Sequence, residues 1–270
     1  MRRSPFIPEP VHVRTGRLLD AVVDLLLPPI CLGCGERIAP GSAVRLVCAR
    51  CRTRLRAVPS PGCGRCGAPQ LATARTADPA CAECGEWPPA LARARAACVL
   101  KPPANALVRA LKYEGWHTLA DPLAARMAKL VLPEAAARAR VCVPVPVSRR
   151  RLRERGYNQA ELLARAFARR TGRTVVQALD SVERAASQTT LQPVGRRANV
   201  AGAFRAHEVR CRALQGRDVI LIDDVLTTGA TASECARVLG AAGIAHITLI
   251  TFARALDARR LTSNEWSSDP

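Results

Sequence analysis

The chain has 270 residues, 49% of them apolar, and 41 Lys and Arg against 22 Asp and Glu, for a formal net charge of +19. At about 100–200 residues per domain, that length supports one α/β domain with a smaller module beside it, and the charge points to an acidic partner such as nucleic acid, a phosphorylated substrate or an anionic surface. The most apolar N-terminal stretch, 18–30, is broken by Asp20, Asp24 and Pro28-Pro29, short of the ~20 residues a spanning helix needs. Met1-Arg2-Arg3 opens no secretion signal, so no membrane span and a cytoplasmic protein are expected.

In chain order, an amphipathic helix is expected over 17–27, leading into a cysteine-rich module. Cys31/Cys34, Cys48/Cys51, Cys63/Cys66 and Cys81/Cys84 form four C-x-x-C pairs, with thirteen residues inside the first half and fourteen inside the second. Each half has the layout of a four-thiolate zinc ribbon, and Gly33, Gly35, Gly64 and Gly67 suit the tight knuckle turns. Sequential pairing closes the shorter loops, and Pro59-Ser60-Pro61 separates the halves. Four thiolates saturate a zinc ion, so one or two structural zinc sites are expected, either capping the fold or also touching nucleic acid. Cys98, Cys142, Cys211 and Cys235 stand singly and are expected in the core.

Trp87-Pro88-Pro89 marks the exit from this module. Beyond it the pattern predicts a strand at 94–100, helices at 105–111 and 119–130, a strand at 140–145, a helix at 158–170, a strand at 174–178, a long polar loop at 181–202, a strand at 219–222, a helix at 232–239 and a last strand at 245–251. Strands alternating with helices imply a parallel sheet wound on both faces. Between Arg138 and Arg173 eleven arginines face only Glu154 and Glu161. This excess is read either as a nucleic-acid face or as a solvated basic surface set by nucleotide composition, since lysine occurs only at 101, 112 and 129. Within it, Pro144 and Pro146 stiffen the exit of a strand just before Arg149-Arg150-Arg151, a loop suited to holding pyrophosphate.

The most informative segment is VILIDDVLTTGAT, 219–231. A continuous apolar strand ends in Asp223 and Asp224, then Thr227, Thr228, Gly229, Ala230 and Thr231 open a helix. Such a loop cradles a phosphate on backbone N–H groups and the positive end of the helix. Two carboxylates beside an anion site are suited to sugar hydroxyls, directly or through Mg²⁺, so a phosphorylated ribose is expected. The segment resembles the phosphoribosyl pyrophosphate signature of type I phosphoribosyltransferases. His117, His207 and His246 are assigned no role.

Four blocks carry a narrower resemblance: LKYEGWHTLADPLA from Leu111, PVPVSRRRLRERGYNQAELLA from Pro144, QTTLQPVGRRANVAGAF from Gln188, and the signature itself. In this order behind a cysteine-rich N-terminus they resemble the ComF competence family, with Tyr157 where that family has phenylalanine. The resemblance implies a type I phosphoribosyltransferase-like doubly wound parallel sheet with a small N-terminal double zinc ribbon, divided at 1–90, 91–256 and a polar tail 257–270. It implies phosphoribosyl pyrophosphate with Mg²⁺ as ligand, and a role with single-stranded DNA and other competence or DNA-processing proteins in transformation. Asp223 and Asp224 would hold the ribose, Thr227 to Thr231 the 5′-phosphate, and Lys112, Arg151 and Arg155 the pyrophosphate side. Gln188 and Arg196 would belong to a loop that closes over the site. The acceptor is left open. Beside a phosphoribosyltransferase stand a non-catalytic DNA-handling adaptor and a regulator that senses the ligand without transferring it.

Overall fold

The structure is a computed structural model that describes residues 28–39, 45–70, 81–182 and 200–256. The helix expected at 17–27, most of the 181–202 loop and the 257–270 tail lie outside the described residues.

Each ribbon begins with the same knuckle. Ile30 bridges Arg37 in the first and Gly62 bridges Pro69 in the second. In each, the first cysteine takes the N–H of a glycine four residues on, Gly35 to Cys31 and Gly67 to Cys63, both 2.8 Å. The two glycines have φ of 76° and 70°, which closes the turn without a Cβ penalty. In the first ribbon a short helix, α1 (Ala49–Arg54), follows, capped by Cys48.

The sheet has five parallel strands: β1 (Leu91–Val99), β2 (Val141–Pro144), β3 (Thr174–Val175), β6 (Asp218–Leu226) and β7 (His246–Arg254); a small antiparallel pair, β4 (Leu179–Ser181) and β5 (Phe204–Ala206), lies between β3 and β6 in the chain. Their spatial order is β1-β7-β6-β2-β3. Alternation along the strands feeds two cores. Cys142, Ile220, Ile222, Ile250 and Phe252 face one side; Val141, Val143, Val219, Leu221, Ile247 and Leu249 face the other. The first side is covered by α2 (Ala104–Tyr113), α3 (Ala120–Met127) and the longest helix, α6 (Gln159–Thr171), which buries Leu163 and Phe167. Asn158 caps α6, its side-chain oxygen accepting from the N–H of Ala160, and Gly172 ends it in the left-handed region. The second side is covered by α8 (Ala230–Ala241). Three short helices complete the described part: α4 (Glu134–Arg138), α5 (Arg149–Arg155) and α7 (Glu208–Arg212).

The ribbons split between these cores. Cys31 and Cys51 pack with the α2 side, and Cys63, Cys66, Cys81 and Cys84 with the α8 side. The two metal modules therefore grip the β1 edge of the sheet from opposite faces. Gly33 lies against Pro103, beside α2. The second ribbon is tied to the end of β7 by Arg254, 1% exposed, which donates to the Cys66 carbonyl at 2.6 Å and pairs with Glu83 at 3.1 Å.

Two expectations differ in extent. The signature strand continues past 222 to Leu226, because β7 runs beside it as far as Arg254, whereas β2 pairs with it only up to Ile222. The run after Pro146 is a helix, not a loop: the Ser148 hydroxyl accepts the N–H of Arg151, and Gly156 ends the helix at φ 79°. No residue of α5 is buried, so its sequence lacks the apolar stripe that signals a helix.

Candidate functional site

Where β2 stops pairing with β6, a cleft of about 1000 Å³ opens at the carboxyl edge of the sheet. Crevices at this edge are where open α/β sheets take ligands. Its lining contains Asp223, Asp224, Thr227, Thr228, Gly229, Ala230 and Thr231 from β6 and the loop to α8, Lys112 from α2, and Arg151 and Arg155 from α5. Ten of the twelve sequence-derived ligand-contacting residues are thus brought together from three segments of the chain. Gln188 and Arg196 lie outside the described residues.

The two aspartates are adjacent on a strand and so leave it on opposite sides. Asp224, almost buried, turns toward α2, and its Oδ2 lies 2.5 Å from Lys112 Nζ. Asp223 accepts the N–H of Asp224 at 2.8 Å. Burial, then the neighbouring Asp224 charge, push its carboxyl well above the usual carboxylate range, with Lys112 opposing. A carboxyl in that setting gains from a ligand that brings positive charge or hydroxyl donors. The donor set therefore fits Mg²⁺ or vicinal sugar hydroxyls, hard oxygen partners in both cases.

The Thr/Gly loop that opens α8 is shaped by two features. Gly229 has φ 79° and is the N-cap of α8, leaving the first N–H groups of a twelve-residue helix facing the cleft. Beneath it lies the indole of Trp87, from the end of the second ribbon: a Cβ on Gly229 would stand 2.7 Å from Trp87 Cζ2. Trp87 is 5% exposed and its Nε1–H has no partner among the described residues. The loop floor is thus supplied by the zinc module. Sequence reasoning treats Trp87 only as a boundary marker, since nothing local reveals a contact made so far along the chain.

Of the α5 arginines, only the pair four residues apart, Arg151 and Arg155, turns into this cleft; Arg150 pairs with Glu154 at 2.8 Å. Arg155 donates to Gln159 at 2.9 Å and its guanidinium lies 4.9 Å over the ring of Tyr113. Tyr113, Asn105, Gln159 and Phe204 also line the cleft and were not anticipated. The signal for Gln159 was present in the G-Y-N-Q block. Gly202, which follows the undescribed segment, donates its N–H to Glu234 of α8 at 2.6 Å.

The cysteines gather sequentially, Cys31/Cys34/Cys48/Cys51 and Cys63/Cys66/Cys81/Cys84, with all sulfurs of a set within 4.8 Å of one another. Three Sγ–Sγ separations, Cys34–Cys48, Cys63–Cys84 and Cys66–Cys81, are each 3.8 Å. A tetrahedron with Zn–S of about 2.3 Å has edges of about 3.8 Å, so both sets fit zinc. Backbone N–H groups aim at the sulfurs, as from Cys48 to Cys31 at 3.3 Å and from Cys66 to Cys63 at 3.5 Å. Burial works against the thiolates, yet these donors hold Cys31 and Cys63 each at about 7.

Among the described residues no helix is long and apolar enough to cross a membrane. Residues 22–85 match the double zinc ribbon domain family. The chain is 31% identical over 243 residues to DNA utilization protein YhgH of Salmonella typhi, covering 86% of this chain and all of that one. It is 30% identical over 220 residues to competence protein F of Haemophilus influenzae, 77% of this chain and 90% of the relative. Competence protein ComFC of Bacillus subtilis is 26% identical over 214 residues, with 76% and 83% covered. Among solved structures, glutamine phosphoribosylpyrophosphate amidotransferase from B. subtilis aligns at a TM-score of 0.34 and 21% identity, over 50% of this chain and 26% of that one. A likeness that low carries no argument of its own. The relatives matched nearly end to end, together with a double zinc ribbon ahead of a parallel α/β sheet, show that this chain belongs to the ComF family.

Proposed function

We propose that the main cleft binds phosphoribosyl pyrophosphate together with Mg²⁺, in a cytoplasmic protein that handles single-stranded DNA in natural competence. The observation that carries the ligand is the convergence, in one cleft, of a carboxylate pair, a helix-opening Thr/Gly loop and the cations Lys112, Arg151 and Arg155. Each group matches one part of the ligand. The N–H groups at Gly229 to Thr231 take the 5′-phosphate, the aspartates the ribose hydroxyls, and the arginines the pyrophosphate. When bound, magnesium offsets the charge of the pyrophosphate and of the group that departs. Lys112 holds the Asp224 carboxylate in place, so the ribose end of the site is oriented before the ligand arrives. The names of the relatives, DNA utilization protein and competence protein, supply the DNA setting.

One observation favours binding without transfer. Outside the two aspartates, the described lining holds no carboxylate and no histidine to take a proton from an acceptor. This suits a regulator that senses phosphoribosyl pyrophosphate without transferring it.

The test is calorimetry with phosphoribosyl pyrophosphate, with and without Mg²⁺, on the wild type and Asp224→Asn. Binding that needs Mg²⁺ and weakens about tenfold or more in the variant is expected, the loss of one charge-assisted contact being ~1.5–3 kcal/mol. No binding by the wild type refutes the ligand. Pyrophosphate release, followed in the same samples with single-stranded DNA present, separates transfer from sensing.

A further inference from the structure

The chain has only nine aromatic residues, four Phe, three Trp and two Tyr. Both tyrosines and one tryptophan lie about the end of α2, where it meets the end of α5 beside the main cleft, with Tyr113 in the cleft lining itself. Tyr113, on the cleft wall, is 70% exposed, and Trp116, three residues on, is 41% exposed. Isolated apolar residues on a surface need no explanation, but two large rings within four residues of a chain so poor in them do. The corner beneath is firmly built. The Tyr157 hydroxyl donates to the Leu111 carbonyl at 2.7 Å, and its ring meets His117 edge-on at 6.2 Å. Arg155 lies over one face of Tyr113.

The charges around it are arranged for a polyanion. Helix α5 ends at this corner with Arg155 and runs away from it through Arg153 to Arg149, exposed from Arg149 to Glu154. Arg150 is engaged by Glu154, and Arg109 by Glu114. Among the described residues Arg149 and Arg153 form no ion pair with a carboxylate. Arg149 and Arg153 are about 6 Å apart along the helix axis at 1.5 Å per residue, a spread that a free base or mononucleotide does not use.

We propose that this corner is a stacking platform for an unpaired base of a nucleic-acid single strand, held by Tyr113 and Trp116, with the strand's phosphates following Arg153 and Arg149 along α5. An exposed ring presents its face, and only an unstacked base has a face to offer in return; a duplex hides it. The platform rests on the reading above that the protein handles single-stranded DNA, and it places a base at the mouth of the cleft assigned to phosphoribosyl pyrophosphate.

The experiment is fluorescence anisotropy of a labelled oligothymidylate of about 20 nucleotides, titrated without phosphoribosyl pyrophosphate over a range of salt. Tyr113→Ala and Trp116→Ala are each expected to weaken binding about 5- to 150-fold, the value of one base–aromatic stack, with the salt slope unchanged. Tyr113→Phe should keep the wild-type affinity. Arg149→Gln/Arg153→Gln should instead flatten the salt slope by about 1.4, two phosphates' worth. Both ring positions are exposed, and circular dichroism with zinc content confirms folding. If the alanine variants bind like the wild type, or if duplex binds as tightly as single strand, the platform is wrong while strand binding elsewhere stands. If the wild type binds no strand, both the platform and the DNA reading fall, and the phosphoribosyl pyrophosphate assignment is untouched.

Discussion

Replacing Gly229 with alanine tests whether the zinc module and the Thr/Gly loop are one mechanical unit. Two separate costs are expected. The backbone at φ 79° disfavours any Cβ, by about 1–2 kcal/mol. The new Cβ would also stand 2.7 Å from Trp87 Cζ2, about 1 Å inside an ordinary carbon–carbon contact. Overpacking of that kind costs about 1–3 kcal/mol in a well-packed site. Gly229→Ala should therefore destabilise by about 2–5 kcal/mol, the sum of the two. In a Trp87→Leu background the second cost disappears and the first stays, so the same substitution should cost only about 1–2 kcal/mol there. The cycle gives a coupling of about 1–3 kcal/mol between residues that sit in different modules. Urea unfolding at fixed free zinc measures all four proteins, fixed because zinc stabilises the folded state by mass action. An equal cost of Gly229→Ala in both backgrounds would falsify the contact.

Two further outcomes follow from the described geometry. Asp223, held well above the usual carboxylate range by burial and by Asp224, titrates near about 3.9 in the unfolded chain. The folded chain then binds the proton more tightly, so this carboxyl's contribution is fully present below the unfolded value and is lost as pH rises through the folded one. Asp223→Asn should melt higher than the wild type at pH 8 and lose that advantage toward pH 4; a wild type more stable at pH 8 would contradict it. For the metal, elemental analysis should give two zinc ions per chain. Cys84→Ser, at a buried ligand, should lower the melting temperature more than Cys34→Ser, at an exposed one; equal losses would speak against the second ribbon's place in the core.

The sequence was most legible where chemistry is local. Cysteine spacing announces the sequential zinc sets because each ligand pair closes its own turn, and the acid pair with T-T-G-A-T identifies its strand, loop and helix together. Helix α6 was readable from its apolar period and its flanking Asn158 and Gly172. Helix α5 was not, because with no buried residue it has no period to read, although Ser148 and Gly156 were proper end signals. The extension of β6 to Leu226 depends on β7 arriving alongside, and the β4–β5 pair joins segments separated by a long loop. Trp87 under Gly229, and Arg254 on Cys66, are likewise products of assembly that no local pattern contains.

The grip of the two ribbons on β1 bears on the order in which the chain is built. β1 leaves the ribosome directly behind the zinc module, yet its neighbour in the sheet, β7, is the last of the described strands, and Arg254 is 188 positions from the Cys66 it clasps. A lone strand with Leu91 and Ala94 awaiting cover is an invitation to aggregate during that interval. Metal-closed knuckles need only neighbouring residues, so they form early and shelter the strand until its partner is made. Pulse-labelled hydrogen exchange on refolding should accordingly show the second ribbon protected before β7 in the presence of zinc, with heavier aggregation when zinc is withheld.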